Sequence, residues 1–550
     1  MVNDWSRPHI CQCLSRILTF RCNSLITIFG RRRKTGEQFV ESVFRIVGQI
    51  SELGISPGDI VAICAFNSDW YLEWLLAVTY VGGIIAPLNY RWSFDESKLA
   101  LEVIRPVMMV TDESCTWSSE LPNLTTLCPR WHVSVDSYSS TTKNMENGTD
   151  RCQPLSIKYC WAPEDAAVIC FTSGTTGRPK GVTISHTSLI TQSLAKIAIV
   201  GYTKDDVYLH TAPMCHIGGI SSCLAMLMAG GCHVVIPKFV AEIAVEAIRE
   251  NRVTSLIAVP TILADLVSTI RHKQPRTQEL SLKKILNGGG SLSIQLIADA
   301  MECFPKAKLL SAYGMTETCS SLTFTTLYDP VEKNSDEHLD RTDKQNPIGG
   351  VCVGKPAPHV EILVSEEDSS HVGRIMTRGP HVMIRYWGQN TTRVPDSGED
   401  WFETGDIGQF DAAGNLWLVG RRNGRIKSGG ENVYPEEVEA VLSLHPGISS
   451  VVVTGIPNAR LGEMVVACVQ IRENWVWADN VGNSLGRTKL YLSNEVLKEY
   501  CRHKRLTGFK IPKVFIVWRK PFPLTSTGKL RRDEMKKEAM MQLQPLLSSL

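Results

Sequence analysis

"AVICFTSGTTGRPKGVTIS", residues 167–185, decides how this 550-residue chain is read. An apolar run opens the stretch and a second apolar run closes it. Between them Thr172, Ser173, Thr175 and Thr176 bring four hydroxyl donors, and Lys180 adds a cation. Gly174 and Gly177 permit backbone conformations and a close anion approach that a Cβ would block. The composition is that of a phosphate-cradling loop, but the pattern is not the P-loop G-x-x-x-x-G-K-[ST]. Lys180 follows Pro179, and Gly181 stands where a magnesium-binding Ser or Thr would be. Pro179 lacks an N–H and fixes φ, which disfavours a helix opening directly after the loop. "GVTIS" reads as a strand instead. The expectation is a loop between two strands that clamps the β- and γ-phosphates of a nucleotide.

From about residue 59 to 317 short β-branched runs alternate with helical patterns. "DIVAICAF", "VYLHTAP", "CHVVIPK", "VTSLIAVP" and "KKILNGGG" read as strands. "SDWYLEWLLAVTYVGG", "AEIAVEAIRENR" and "IQLIADAMECF" read as helices. This rhythm predicts a large N-terminal α/β domain with mainly parallel sheets, whose ligands bind beyond the carboxyl ends of the strands. Polar stretches at 134–150 and 332–347 are expected to be surface loops. "GRRNGRIKSGGENVYP", rich in Gly and charge, marks a domain boundary near Gly420–Gly430, with the domains taken as 1–422 and 423–550. Beyond it "EEVEAVLSLH", "SSVVVTGIP", "MVVACVQI", "EVLKEYCRHK" and "KVFIVWRK" form a small C-terminal α+β domain.

Composition excludes several classes of function. Formal net charge is +2, from 58 basic and 56 acidic residues, so no basic excess points to nucleic acid. The longest apolar run, Leu75–Leu88, is too short for a membrane span and is broken by Gly82, Gly83 and Pro87; it reads as a buried helix feeding a strand. The 17 cysteines are odd in number, scattered and without C-x-x-C, as expected of reduced thiols packed as small hydrophobes. After Asp4 no acidic residue occurs until Glu37, while Arg7, Arg16, Arg21 and Arg31–Arg33 are basic; an organelle transit sequence and folded protein both fit. The end, Ser548-Ser549-Leu550, is similar to the peroxisomal S-K-L address without its basic middle residue.

Further motifs carry nucleotide chemistry. "YGMTE" (Tyr313–Glu317) offers an aromatic platform for adenine, a hydroxyl for the α-phosphate in Thr316, and a carboxylate for Mg²⁺ in Glu317. "NGGGS" lays the flat backbone of Gly288, Gly289 and Gly290 beside a ligand. "WFETGD" ends in Asp406, an acceptor for ribose hydroxyls, and "LTSTGK" ends in Lys529.

The order of these motifs resembles the adenylate-forming superfamily of acyl-CoA synthetases, luciferase-like enzymes and peptide-synthetase adenylation domains, from roughly residue 20 to 540. The phosphate loop matches the family pattern [ST]-S-G-[ST]-T-G-x-P-K-G in full. The resemblance implies a two-step ligase using ATP, Mg²⁺ and coenzyme A on a small carboxylate. Lys529 would bridge the carboxylate and the α-phosphate, with Thr316 on that phosphate and Glu317 on Mg²⁺. Arg421 and Asp406 would hold the ribose, and Tyr313 with Gly288–Gly290 would pack on adenine. Family members rotate the C-terminal domain between steps. By position Asn423 is the hinge, where the family usually has Asp or Lys, and Lys427, Gly429 and Gly430 lie on the thioesterification face. His216, in "PMCHIGG", matches a residue that gates the acyl pocket.

Within the superfamily, "YGMTETCSSL", "GGENVYPEEVEAVL", "NARLGEMVVACV" and "LTGFKIPK" are similar to the o-succinylbenzoate-CoA ligase family of menaquinone and phylloquinone biosynthesis, in particular its plant members. That implies activation of the succinyl-side carboxylate. The aromatic carboxylate then needs a polar partner in an apolar pocket, with Ser291 and Ser320 as candidates. Plant kinship also implies chloroplast and/or peroxisome. The rivals are a ligase for another aromatic or fatty acid and a catalytically silent nucleotide binder.

Overall fold

The two apolar runs around the phosphate loop pair with each other. Ala166–Thr172 and Lys180–Ser185 form an antiparallel hairpin with Phe171 opposite Gly181 and Thr172 opposite Lys180. The structure is a computed structural model that describes residues 7–136, 158–172, 179–273, 280–331, 350–366, 372–389, 401–428, 431–458, 460–478, 490–504, 506, 508–524 and 530–547. Most of the two expected polar loops, and Ser173 to Gly177 of the phosphate loop, lie outside the described residues.

The hairpin sits in a seven-stranded sheet whose other strands include Ile60–Cys64, Ile84–Leu88, Met108–Thr111 and Trp131–Ser134, paired in parallel. Helix Asp69–Tyr80 is mostly apolar and buried on every side. The Ser68 hydroxyl accepts from the Tyr71 amide to cap it, and the chain then enters Ile84–Leu88. Its two acidic residues survive burial because the basic N-terminal segment reaches them. Arg32 Nε donates to Asp69 at 2.7 Å, and Lys34 Nζ to Glu73 at 2.5 Å. The preceding helix, Gln12–Arg21, buries Cys13, Leu14 and Ile17 in the same core, so this basic stretch is folded protein.

A second sheet has 13 strands. Its parallel part includes Val207–His210, Cys232–Val235, Ser255–Ala258, Lys284–Gly288 and Lys308–Tyr313. The expectation of mainly parallel sheets holds for the strands that alternate with helices. From Thr323–Tyr328 to Leu416–Arg421 the sheet continues antiparallel. This continuation carries Asp406 and Arg421. A third sheet of five strands begins with Ile426–Ser428 and Glu431–Val433, centres on Gly462–Ile471, and takes helix Arg532–Leu547 onto its core through Met535, Ala539 and Leu543. Every cysteine among the described residues is free and most are buried. No described helix is long and apolar enough to cross a membrane.

Candidate active site

The carboxyl ends of the parallel strands Lys284–Gly288 and Lys308–Tyr313 lie side by side, with Gly288 paired to Ala312. The first strand runs into the glycine turn, where Gly289 takes φ +75°, a conformation L side chains avoid. Buried Asn287 fixes that turn: its Nδ2 donates to the Gly290 carbonyl at 2.7 Å and to Ser311 Oγ at 3.1 Å. Ser291 follows as an exposed residue.

Tyr313 ends the second strand, and its hydroxyl donates to Asp406 Oδ2 at 2.6 Å. Burial first, and then the charge of Asp406, push the phenol pKa well up, so Tyr313 remains a donor. Asp406 faces Arg421 across the hairpin of Phe402–Phe410 and Leu416–Arg421, with Arg421 Nε 3.2 Å from Asp406 Oδ1. Three sequence-predicted residues thus form one chain, with the Arg421 side chain largely exposed at its end.

Thr316 and Glu317 sit in the short turn Thr316–Thr318 that follows. Glu317 is buried, and its Oε1 accepts from the Tyr386 hydroxyl at 3.0 Å. Tyr386 lies on Arg385–Tyr386, the strand added to the phosphate hairpin opposite Val182 and Thr183. Its ring centroid is 5.0 Å from Lys180 Nζ, within cation–π range. Burial and then Glu317 raise the Tyr386 pKa, keeping it a donor. Tyr386 therefore joins the "YGMTE" turn to the base of the phosphate loop, where Thr172 and Lys180 face each other.

His216 caps helix Ile217–Ala229 with its backbone, its carbonyl accepting from Gly219 and Ile220 at 3.0 and 3.1 Å. Asn67 anchors the approach to it: Asn67 Oδ1 accepts from the Met214 amide at 2.8 Å, and Nδ2 donates to the Ala212 carbonyl at 3.1 Å. Ser320, three residues after Glu317, accepts from Lys196 Nζ at 3.2 Å. Asn423 stands in the turn Arg422–Gly424 that leads into the third sheet. Exposed Lys427 lies on that sheet, its amide donating to Glu463 at 3.0 Å, whereas Tyr313 belongs to the 13-stranded sheet. Gly429, Gly430 and Lys529 lie outside the described residues.

Sequence reasoning missed Tyr386, Lys196 and Asn67, and gave Asn287 no role. Tyr386 is 69 residues from its partner and belongs to no motif. Lys196 did leave a signal, as the single lysine in the otherwise uncharged helix His186–Val200.

A family model for AMP-binding enzymes matches residues 18–387, and one for the AMP-binding enzyme C-terminal domain matches residues 437–529. The chain belongs to the AMP-binding enzyme family. The first match takes in the phosphate hairpin, Gly288–Gly290, Tyr313, Glu317 and Tyr386. Asp406 and Arg421 fall between the two matches, and Lys529 is the last residue of the second. This AMP-binding enzyme is 53% identical to the 2-succinylbenzoate–CoA ligase, chloroplastic/peroxisomal, of Arabidopsis thaliana, with 99% of each chain covered. It is 28% identical to the indoleacetate–CoA ligase of Aromatoleum aromaticum, over 92% of this chain and 94% of the relative. The o-succinylbenzoate CoA synthetase (MenE) of Bacillus subtilis, solved in complex with the acyl-adenylate intermediate OSB-AMP, superposes with a TM-score of 0.75. Sequence identity to it is 25%, covering 96% of this chain and 98% of that one.

Proposed function

We propose that this AMP-binding enzyme is an ATP-dependent 2-succinylbenzoate–CoA ligase. The succinyl-side carboxylate attacks the α-phosphorus of ATP, pyrophosphate leaves, and an acyl-adenylate forms. The thiol of coenzyme A then attacks the acyl carbon, loses its proton and expels AMP. The observation that carries a nucleotide-activating reaction is the joining of two networks at one set of strand ends: Tyr313–Asp406–Arg421 and Glu317–Tyr386–Lys180. The choice of acid is supported by the relative that is 53% identical over nearly the whole chain.

The first step sets a carboxylate against a polyphosphate, so positioning and charge stabilisation carry most of the catalysis. Asp406 accepts from the ribose hydroxyls with Arg421 beside it, while the Tyr313 ring and the Gly288–Gly290 backbone cover adenine. Lys180, Thr172 and the Ser173–Gly177 loop hold the leaving pyrophosphate. Thr316 reaches the α-phosphate, and Lys529 bridges it to the acid. Glu317 suits a magnesium ion, being a buried hard oxygen donor beside the phosphate hairpin, and magnesium there would neutralise phosphate charge. Rotation about Asn423, at a boundary between 422 and 423, brings Lys427, Gly429 and Gly430 to the coenzyme A step. The name of the Arabidopsis relative supports a chloroplast and peroxisome location.

The test is thioester and AMP formation with 2-succinylbenzoate, indoleacetate, a hydroxycinnamate and a fatty acid. We expect kcat/KM for 2-succinylbenzoate to exceed the others by about 100-fold or more. Indifference to 2-succinylbenzoate overturns the assignment.

A further inference from the structure

Among the described residues, Lys196 is a buried cation without a carboxylate. Its side chain is fully enclosed, with 0% exposure, in helix His186–Val200. Nζ donates to Ser221 Oγ at 2.6 Å, Ser222 Oγ at 3.1 Å and Ser320 Oγ at 3.2 Å. An ammonium has three N–H donors and no acceptor, so these three hydroxyls use all of them. Hydroxyl dipoles satisfy the hydrogen bonds but leave the charge itself uncompensated, and an uncompensated buried charge is costly. Burial accordingly draws the lysine pKa down to about 7.

The cluster is held next to the reaction site. Ser221 and Ser222 stand in the second turn of the helix that His216 begins. Ser320 lies three residues past Glu317, in a turn where Cys319 and Ser320 take φ +53° and +100°. Left-handed backbone at two successive non-glycine residues is strained and persists only where the surroundings impose it. Helix His186–Val200 imposes it twice: Gln192 Nε2 donates to the Ser321 carbonyl at 2.7 Å, and Lys196 one turn later holds Ser320 Oγ. Since Ser320 Oγ accepts from an ammonium, its own proton points elsewhere, either to Ser321 Oγ at 3.4 Å or to a ligand. Ser320 is half-buried where Lys196 is enclosed.

We propose that Lys196, acting through the Ser320 hydroxyl, is the positioning residue that selects a dicarboxylate by neutralising the ring carboxylate of the acid. The inference rests on the ligase reading above and identifies what distinguishes 2-succinylbenzoate from a monocarboxylate of the same shape. Ser320 Oγ–H donates to the ring carboxylate, and the lysine behind it supplies the counter-charge. No bond is made or broken at this carboxylate.

The experiment compares 2-succinylbenzoate with 4-oxo-4-phenylbutanoate, which lacks only the ring carboxylate, in full-length wild type, Lys196→Met and Ser320→Ala. In wild type we expect a preference of about 100-fold or more for the dicarboxylate. Lys196→Met should raise KM for 2-succinylbenzoate about 100-fold with little change in kcat, leave 4-oxo-4-phenylbutanoate within about threefold, and so abolish the preference. Ser320→Ala should act in the same direction by about tenfold. Equal loss of both substrates in Lys196→Met, or an unchanged preference, overturns the proposal. If Lys196→Met does not fold, Ser320→Ala decides, and a retained preference in it overturns the proposal. Wild type inert toward both acids instead overturns the ligase reading and this inference with it. Wild type active on 2-succinylbenzoate with a failed variant pattern overturns this inference alone.

Discussion

Asp406, the proposed ribose acceptor, joins two other site candidates, accepting from Tyr313 and facing Arg421. Asp406→Asn keeps the size and removes the charge that faces Arg421. A charged hydrogen bond contributes about 1.5–3 kcal/mol, so KM for ATP should rise by about 10- to 100-fold. KM for the acid should stay within about twofold, since the role proposed for this carboxylate is toward the ribose alone. Steady-state kinetics with each substrate varied in turn will read the split, and an unchanged ATP KM would sink the role. Residues of this kind were legible because their chemistry is local: Tyr313, Thr316 and Glu317 stand within five positions, and the phosphate loop announces itself by hydroxyls and glycines. Tyr386 and Asn67 were not legible because their meaning lies in partners 69 and 147 positions away. Lys196 lay between these cases, visible as an anomaly but without a partner until the fold supplied three serines.

At the scale of elements, Pro179 correctly separated a strand–loop–strand hairpin from a P-loop, because a missing N–H and a fixed φ are properties of one residue. The strands that alternate with helices up to Lys284–Gly288 were equally readable. Those from Thr323 to Arg421 were not, because Gly354, Gly405, Gly408 and Gly420 interrupt their alternation and their pairing is set by neighbours rather than by pattern. One glycine outside those strands matters more than they do. A Cβ on Gly314 would overlap the Ser320 carbonyl oxygen and its carbon, a backbone contact that no rotamer change relieves. The turn closes with the Leu322 amide donating to the Tyr313 carbonyl at 2.7 Å, so Gly314 sets the spacing between Tyr313 and Ser320. Gly314→Ala should therefore destabilise the fold by on the order of 3 kcal/mol. Any soluble fraction should lose adenylate formation, measured by ATP–pyrophosphate exchange. Wild-type melting together with wild-type exchange would refute the argument.

For the whole molecule, a large α/β unit followed by a small α+β unit was readable from the change of pattern past the Gly-rich stretch at 420–430, and the proposed reason to separate them lies in the two half-reactions. Lys529→Ala should abolish adenylate formation yet leave the reaction of preformed adenylate with coenzyme A within about threefold, because the role proposed for the lysine is confined to the first transition state. Equal loss of both half-reactions would reject it. Stability against acid is a second property of the whole chain, and it follows from histidines that no motif singled out. Burial draws His9 down to about 4 and His233 and His381 down to about 3, and it holds His186 and His210 well below the ordinary histidine value. Between those values and about 6.5 the unfolded chain binds more protons than the folded one. Stability from these groups is therefore complete above pH 6.5 and is lost as the pH falls toward the folded values. At pH 5 the three histidines with defined values cost about 2 kcal/mol each relative to pH 7, and His186 and His210 act in the same direction. Glu73 opposes them: burial lifts its carboxyl to about 7 despite Lys34, so the folded chain takes up that proton first and regains about 2 kcal/mol over the same interval. The histidines outweigh it. Urea unfolding at pH 7, 6 and 5 should show a midpoint that falls at each step, with the slope of the transition unchanged. His381→Asn, which removes one buried imidazole, should flatten the fall, and a midpoint independent of pH would show that these imidazoles are hydrated in the folded chain.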